Sequence, residues 1–144
     1  MENTRPDLSR PHFTNHFSQA LRVLIVEDHA DTAASLAMLL RLYGHAVEVA
    51  ADGPSALRAV HASPPDVVLL DISLPKMDGW LVAKEIHEQS TWKRPLLVAI
   101  TGHGMTADRL RSQEAGIDLH LVKPVEPAEL EHLLKRFRRI VGSR

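Results

Sequence analysis

The residues best suited to chemistry in this sequence are acids that end apolar runs. Asp71 follows Val67-Val68-Leu69-Leu70 and precedes Ile72-Ser73-Leu74-Pro75-Lys76-Met77-Asp78-Gly79. Glu27 and Asp28 follow Val23-Leu24-Ile25-Val26 in the same way. A carboxylate at the tip of a buried strand is poorly placed for packing and well placed to act as a ligand or nucleophile. If the three acids meet, two unit charges about 4 Å apart repel by about 4 kcal/mol at an effective dielectric near 20, and three repel more. Such a cluster stays ionised only around a cation, and oxygen-only ligands favour Mg²⁺ over zinc or copper. Two more strand-like runs end in polar residues: Thr101, before Gly102-His103-Gly104, and Lys123, before Pro124. A hydroxyl and an ammonium beside a metal-bound carboxylate form a receptor for a phosphoryl group.

Whether these residues meet depends on the elements that carry them. Strands are predicted over 23–26, 45–50, 66–71, 96–101 and 119–122. Helices are predicted over about 31–43, from Gly53-Pro54 to before Ser63-Pro64-Pro65, over 79–89, over 105–115 and from Pro127 onward. Ala33, Leu36, Ala37 and Leu40 line one face of the first helix, and Gly44 stops it. Leu130, Leu133, Leu134, Phe137 and Val141 line one face of the last. Five strands alternating with five helices imply a doubly wound parallel sheet covered on both faces. The apolar strands 1, 3 and 4 suit the centre and strands 2 and 5 the edges, which gives the flavodoxin-like order 2-1-3-4-5. Ligands are then expected at the carboxyl ends of strands 1 and 3, where Glu27, Asp28 and Asp71 lie.

The bulk composition agrees with this α/β reading. The chain has 144 residues, 44% of them hydrophobic and 24% charged, with a formal net charge of −1. That suits one domain with a real core, and it provides no overall field for nucleic acid or an anionic membrane. With no cysteine, disulfides, thiol catalysis and Cys-zinc sites are excluded, which fits a cytoplasmic protein. No apolar run approaches the roughly 20 residues of a spanning helix. Residues 1–20 read as a flexible polar tail and 21–144 as the folded domain.

The acidic pair Glu27-Asp28, the Asp71–Gly79 segment, Thr101-Gly102 and Lys123-Pro124 together resemble a response-regulator receiver domain of two-component signalling, over roughly 21–141. The resemblance implies that Asp71 is the phosphoacceptor. It implies that Asp28, Asp71 and the backbone carbonyl of Ser73 bind Mg²⁺, with Glu27 acting through water. Thr101 and Gly102 would contact the phosphoryl group, Lys123 would pair with it, and Lys123-Pro124 would be cis. The implied partners are a histidine kinase or histidine phosphotransfer protein upstream and a protein target downstream. The implied output face comprises the fourth helix, fifth strand and fifth helix, with homodimerisation as a further use of it. The Thr101–Gly104 and Leu121–Val125 segments resemble receivers attached to hybrid kinases; a free-standing regulator is the alternative.

One position departs from the family pattern. Where the family usually has Tyr or Phe as a rotameric switch, three residues before the lysine, this chain has His120. A half-exposed edge-strand histidine is the plain reading, and a titrating switch the sharper one. His12 and His16 are four apart in the tail, while His29 and His103 should lie near the acidic mouth. Lys135, Arg136, Arg138 and Arg139 make the last helix basic. No helix-turn-helix follows, so output is expected through protein contact and not through nucleic acid. The domain is expected to catalyse only its own phosphorylation and dephosphorylation. Two other classes remain. A Mg²⁺-dependent phosphatase with an Asp nucleophile would want a second acid two residues on, where Ser73 stands. A phosphorylation-independent binding module would leave the acidic site unused.

Overall fold

The computed structural model describes residues 20–73, 78–89, 93–102 and 109–142. In order they form β1 (Arg22–Val26), α1 (Ala30–Leu42), β2 (Ala46–Ala50), α2 (Gly53–Ala62), β3 (Val67–Asp71), α3 (Gly79–Gln89), β4 (Leu96–Thr101), α4 (Arg109–Ala115), β5 (Leu119–Val122) and α5 (Pro127–Gly142). Local signals account for the boundaries. The Asp52 carboxylate caps α2 by accepting from Ser55 N–H at 2.8 Å, and Pro54 sits in its first turn, where a missing N–H costs nothing. Asp78 Oδ1 accepts from Leu81 N–H at the start of α3. Gly44, at φ +93°, lets the chain leave α1 in the left-handed conformation that side chains disfavour.

The strands form one sheet, all pairs parallel, in the order β2-β1-β3-β4-β5. This is the expected order, and its reason is burial. All five residues of β3 are buried, whereas β2 and β5 alternate with exposed positions as edges must. Side chains alternate across the sheet and build two cores. Leu24, Val26, Val68, Leu70 and Ala99 pack under α2 and α3, where Val60, Ala83 and Ile86 meet them. Ile25, Leu69, Val98, Ile100 and Leu121 pack under α1 and α5, against Leu40, Leu130 and Leu134. Burying each such valine, leucine or isoleucine contributes about 1.5–3 kcal/mol.

The rim at the amino ends of the strands is stitched by two aspartates. Asp66 accepts from Arg22 N–H at 2.8 Å and pairs with Lys93 at 3.0 Å. Asp118 accepts from Leu97 N–H at 2.8 Å. The starts of β1, α1, β2 and β3 and the end of α1 each differ from expectation by one residue. His45 stands just before β2 because its buried ring accepts from Leu21 N–H, and α1 begins at Ala30, one residue before the expected Asp31. The first four residues of the expected fourth helix, 105–108, lie outside the described residues, as do His12, His16, His103, Gly104, the tail before residue 20 and the Leu74–Met77 segment. Among the described residues no helix is long and apolar enough to cross a membrane.

Candidate functional site

Register alone places the chemistry. Val26 of β1 pairs with Leu70 of β3, so the next residues, Glu27 and Asp71, come out level. Asp71 pairs with Ile100, which puts Thr101 one step beyond it, and Thr101 pairs with Val122, which puts Lys123 one step further. The carboxyl ends of four strands thus present Glu27, Asp71, Thr101 and Lys123 as adjacent steps on one rim. They adjoin a cavity of about 730 Å³ that runs beneath α1 and is lined by Glu27, Asp31, Asp71, Gly102, Lys123 and Pro124 among others.

Asp71 is 1% exposed and fully engaged. Its Oδ1 accepts from Ser73 N–H at 2.9 Å and from the Ser73 hydroxyl at 2.8 Å. Its Oδ2 accepts from the Lys123 ammonium. Burial alone would raise the Asp71 carboxyl, but the Lys123 and Ser73 hydrogen bonds outweigh it and hold the group below the usual aspartate range. The result is an ionised, buried carboxylate, the form needed of a nucleophile.

Glu27 is shifted the other way. Burial raises its carboxyl, the contact with Asp71 adds to the rise, and the His29 N–H bond to Oε2 opposes it only in part. Glu27 N–H is itself paired to Ala50 O, so the residue continues β1 and cannot swing outward with the loop. Asp28 can, and its side chain is exposed. The three acids therefore do not close into a cluster, and among the described residues no group of three metal-capable His, Asp or Glu side chains forms. Glu27 and Asp71 meet; Asp28 sits on the bend beside them. The donors that do meet are carboxylate oxygens, buried and like-charged, and they fit a hard divalent cation that would remove their repulsion.

The remaining expected residues lie on the β4–β5 side. Thr101 is buried, and its hydroxyl donates to Leu121 O at 3.4 Å. Lys123 N–H donates to Thr101 O at 2.8 Å, and the Lys123–Pro124 bond is cis. Gly102 lines the cavity. His120 is half-buried, with Nε2 at 2.8 Å from the hydroxyl of Ser112, a buried residue of α4. His29 caps α1, its Nδ1 lying 3.0 Å from the Thr32 hydroxyl. Two participants were not legible in the sequence. The Ser73 hydroxyl looked like a loop residue known only for its carbonyl, and Ser112 lies in a helix with no motif to mark it. Gly79 proves necessary for a packing reason: a Cβ there would stand 2.8 Å from the backbone of Ile72, the residue after Asp71.

Comparison with known proteins places this geometry. The family model described as the response regulator receiver domain matches residues 23–135. A probable transcriptional regulator, ycf27, of Guillardia theta is 42% identical over 110 residues, which cover 76% of this chain and 42% of that protein. The transcriptional regulatory protein PrrA of Mycobacterium tuberculosis is 39% identical over 122 residues, 85% of this chain and 52% of its own length. The chain thus spans about half the length of these curated relatives. Among solved structures, the receiver domain of a sensor histidine kinase from Pseudomonas aeruginosa, with a magnesium ion coordinated in its active site cleft, is 32% identical. Its TM-score is 0.72, and the match covers 83% of this chain and 98% of that one. A putative response regulator from Chloroflexus aurantiacus is 31% identical with a TM-score of 0.74, over 83% of this chain and 98% of its own.

Proposed function

We propose, from the premise that this chain belongs to the response regulator receiver domain family, that Asp71 accepts a phosphoryl group and that its modification switches protein contacts. The observation that carries the proposal is the Asp71 carboxylate itself: buried, ionised, and held between Ser73 and Lys123 with Glu27 against it. Nothing in packing rewards so expensive an arrangement.

The donor is a phosphohistidine of a histidine kinase or histidine phosphotransfer protein. An Asp71 oxygen forms the new O–P bond as the N–P bond breaks, and the electron pair returns to the imidazole nitrogen. Lys123 exchanges its bond to Asp71 for one to the transferred phosphoryl oxygens, and the Thr101 hydroxyl leaves Leu121 O to donate to the same group. The backbone N–H and hydroxyl of Ser73 hold the carboxylate in line. Asp71, Asp28, Glu27 and the Ser73 carbonyl would hold Mg²⁺, which would supply the charge neutralisation that phosphoryl transfer requires. The protein acts on itself and on no separate substrate, in the cytoplasm. Its output passes to a protein target through the face made by α4, β5 and α5.

The test is intact mass after incubation with Mg²⁺ and a small acyl phosphate. One phosphoryl adduct is expected, lost in Asp71→Asn and without chelatable metal. No adduct, or one that survives Asp71→Asn, would sink the proposal. Steady hydrolysis of a phosphomonoester would instead favour a phosphatase.

A further inference from the structure

We infer that Ser112 is a positioning residue that makes His120 a fixed strut between β5 and α4, so that the histidine carries the response to phosphorylation without swinging. The inference rests on the phosphoacceptor reading above for its input, but not for the strut itself.

Parallel pairing sets the geometry. Ala99 of β4 faces His120 of β5, and Thr101 faces Val122, so Thr101 and His120 present their side chains on the same face of the sheet. Ala99 belongs to the core beneath α2 and α3, whereas Leu121 belongs to the opposite core. His120 therefore points toward the α4 side, and there its Nε2 lies 2.8 Å from Ser112 Oγ. Ser112 is 4% exposed, so its hydroxyl has little recourse to water. If the imidazole swung out, a buried hydroxyl would lose this hydrogen bond, which is costly. The bond survives either protonation state of the ring, since a serine hydroxyl can donate to a neutral nitrogen or accept from a protonated one. Of the acids nearby in sequence, Asp118 is engaged by Leu97 N–H at 2.8 Å.

The strut completes a continuous path. The Thr101 hydroxyl donates to the carbonyl of Leu121, the residue after His120. When Thr101 turns to a phosphoryl group on Asp71, that carbonyl loses its donor and β5 is free to shift beside Lys123. A swinging side chain would absorb the shift. A ring held by Ser112 transmits it to α4. The coupling lies in contiguous bonds with two arrangements, which is what an allosteric link requires.

The experiment compares Ser112→Ala and Ser112→Thr with the wild type by amide hydrogen exchange, before and after phosphorylation, with His120 ring resonances followed by NMR. In the unphosphorylated protein, Ser112→Ala should speed exchange in α4 on the order of tenfold, the scale of one lost buried hydrogen bond, while Ser112→Thr restores wild-type exchange. Phosphoryl incorporation should stay within about twofold, and the change in α4 exchange on phosphorylation should be lost in Ser112→Ala alone. Unchanged α4 exchange in Ser112→Ala, or His120 resonances that move to solvent-exposed values on phosphorylation, would overturn the strut. Failure of the wild type to take a phosphoryl group would overturn the phosphoacceptor reading instead, and the unphosphorylated comparison would still decide the strut.

Discussion

The two halves of the site rim are built differently. On the β1–β3 half, the bonds that the loops themselves make to the acid side chains are local: His29 N–H to Glu27 and Ser73 to Asp71, each spanning two residues. On the β4–β5 half they are long-range: Lys123 reaches Asp71 across 52 residues, and Thr101 reaches Leu121 across 20. A local bond forms with its turn and is present whatever the rest of the chain does. A long-range bond holds only while β4 and β5 keep their register. The nucleophile is thus anchored on one side and answerable to distant movement on the other, which suits a switch.

If that contrast is right, the largest loss should come from cutting a long-range tie. Lys123→Met is expected to destabilise the fold by about 2–3 kcal/mol. That is below the 3–5 kcal/mol typical of a broken buried pair, because the lysine side chain is 37% exposed. Urea unfolding measures it, and a loss below about 0.5 kcal/mol would show that the two halves are independent. Gly79→Ala should come next, at about 2 kcal/mol, because the added Cβ must displace the Ile72 backbone beside Asp71. Its reduced rate of phosphoryl incorporation should fall with stability. Ser73→Ala should cost about 1 kcal/mol, since the Ser73 N–H still reaches Oδ1 after the hydroxyl is gone. A loss equal to that of Lys123→Met would erase the distinction drawn here.

The smallest effect should have the opposite sign. Glu27 binds its proton more tightly folded than unfolded, so its contribution to stability is complete below the unfolded value and is lost as pH rises through the folded one. Glu27→Gln should therefore be slightly more stable than the wild type at neutral pH and no more stable in acid. Added Mg²⁺ should close the neutral-pH gap by stabilising the wild type more than the variant. Asp71 runs the other way: its lowered pKa adds stability above the unfolded value that is lost as pH falls through the folded one. Thermal melts across pH, with and without Mg²⁺, separate the two. A wild type that outlasts Glu27→Gln at neutral pH without metal would contradict the assignment.

The same division explains what was readable from sequence. Sheet order, central strands and rim residues were legible because strand hydrophobicity and parallel topology fix them: Val67–Asp71 could only be central, and its end could only face the end of Val23–Val26. Which of Glu27 and Asp28 stays against Asp71 was not legible, because a motif states adjacency along the chain, not which of two neighbours turns outward at a bend. Only Glu27 continues the β1 pairing. Ser112 was invisible because its partner is chosen by how α4 lies over β5, and no local pattern in Arg109–Ala115 records that.

The opposite rim has a practical consequence. Asp66 and Asp118 fasten the amino ends of the strands, and Leu21 enters β1 there. A fluorophore or surface tether attached at Ala20, seven residues before Glu27, would stand roughly 23 Å from the level of Asp71. Immobilised by that handle, the protein would turn the Asp71 rim away from the surface, and the stitched end would take the load.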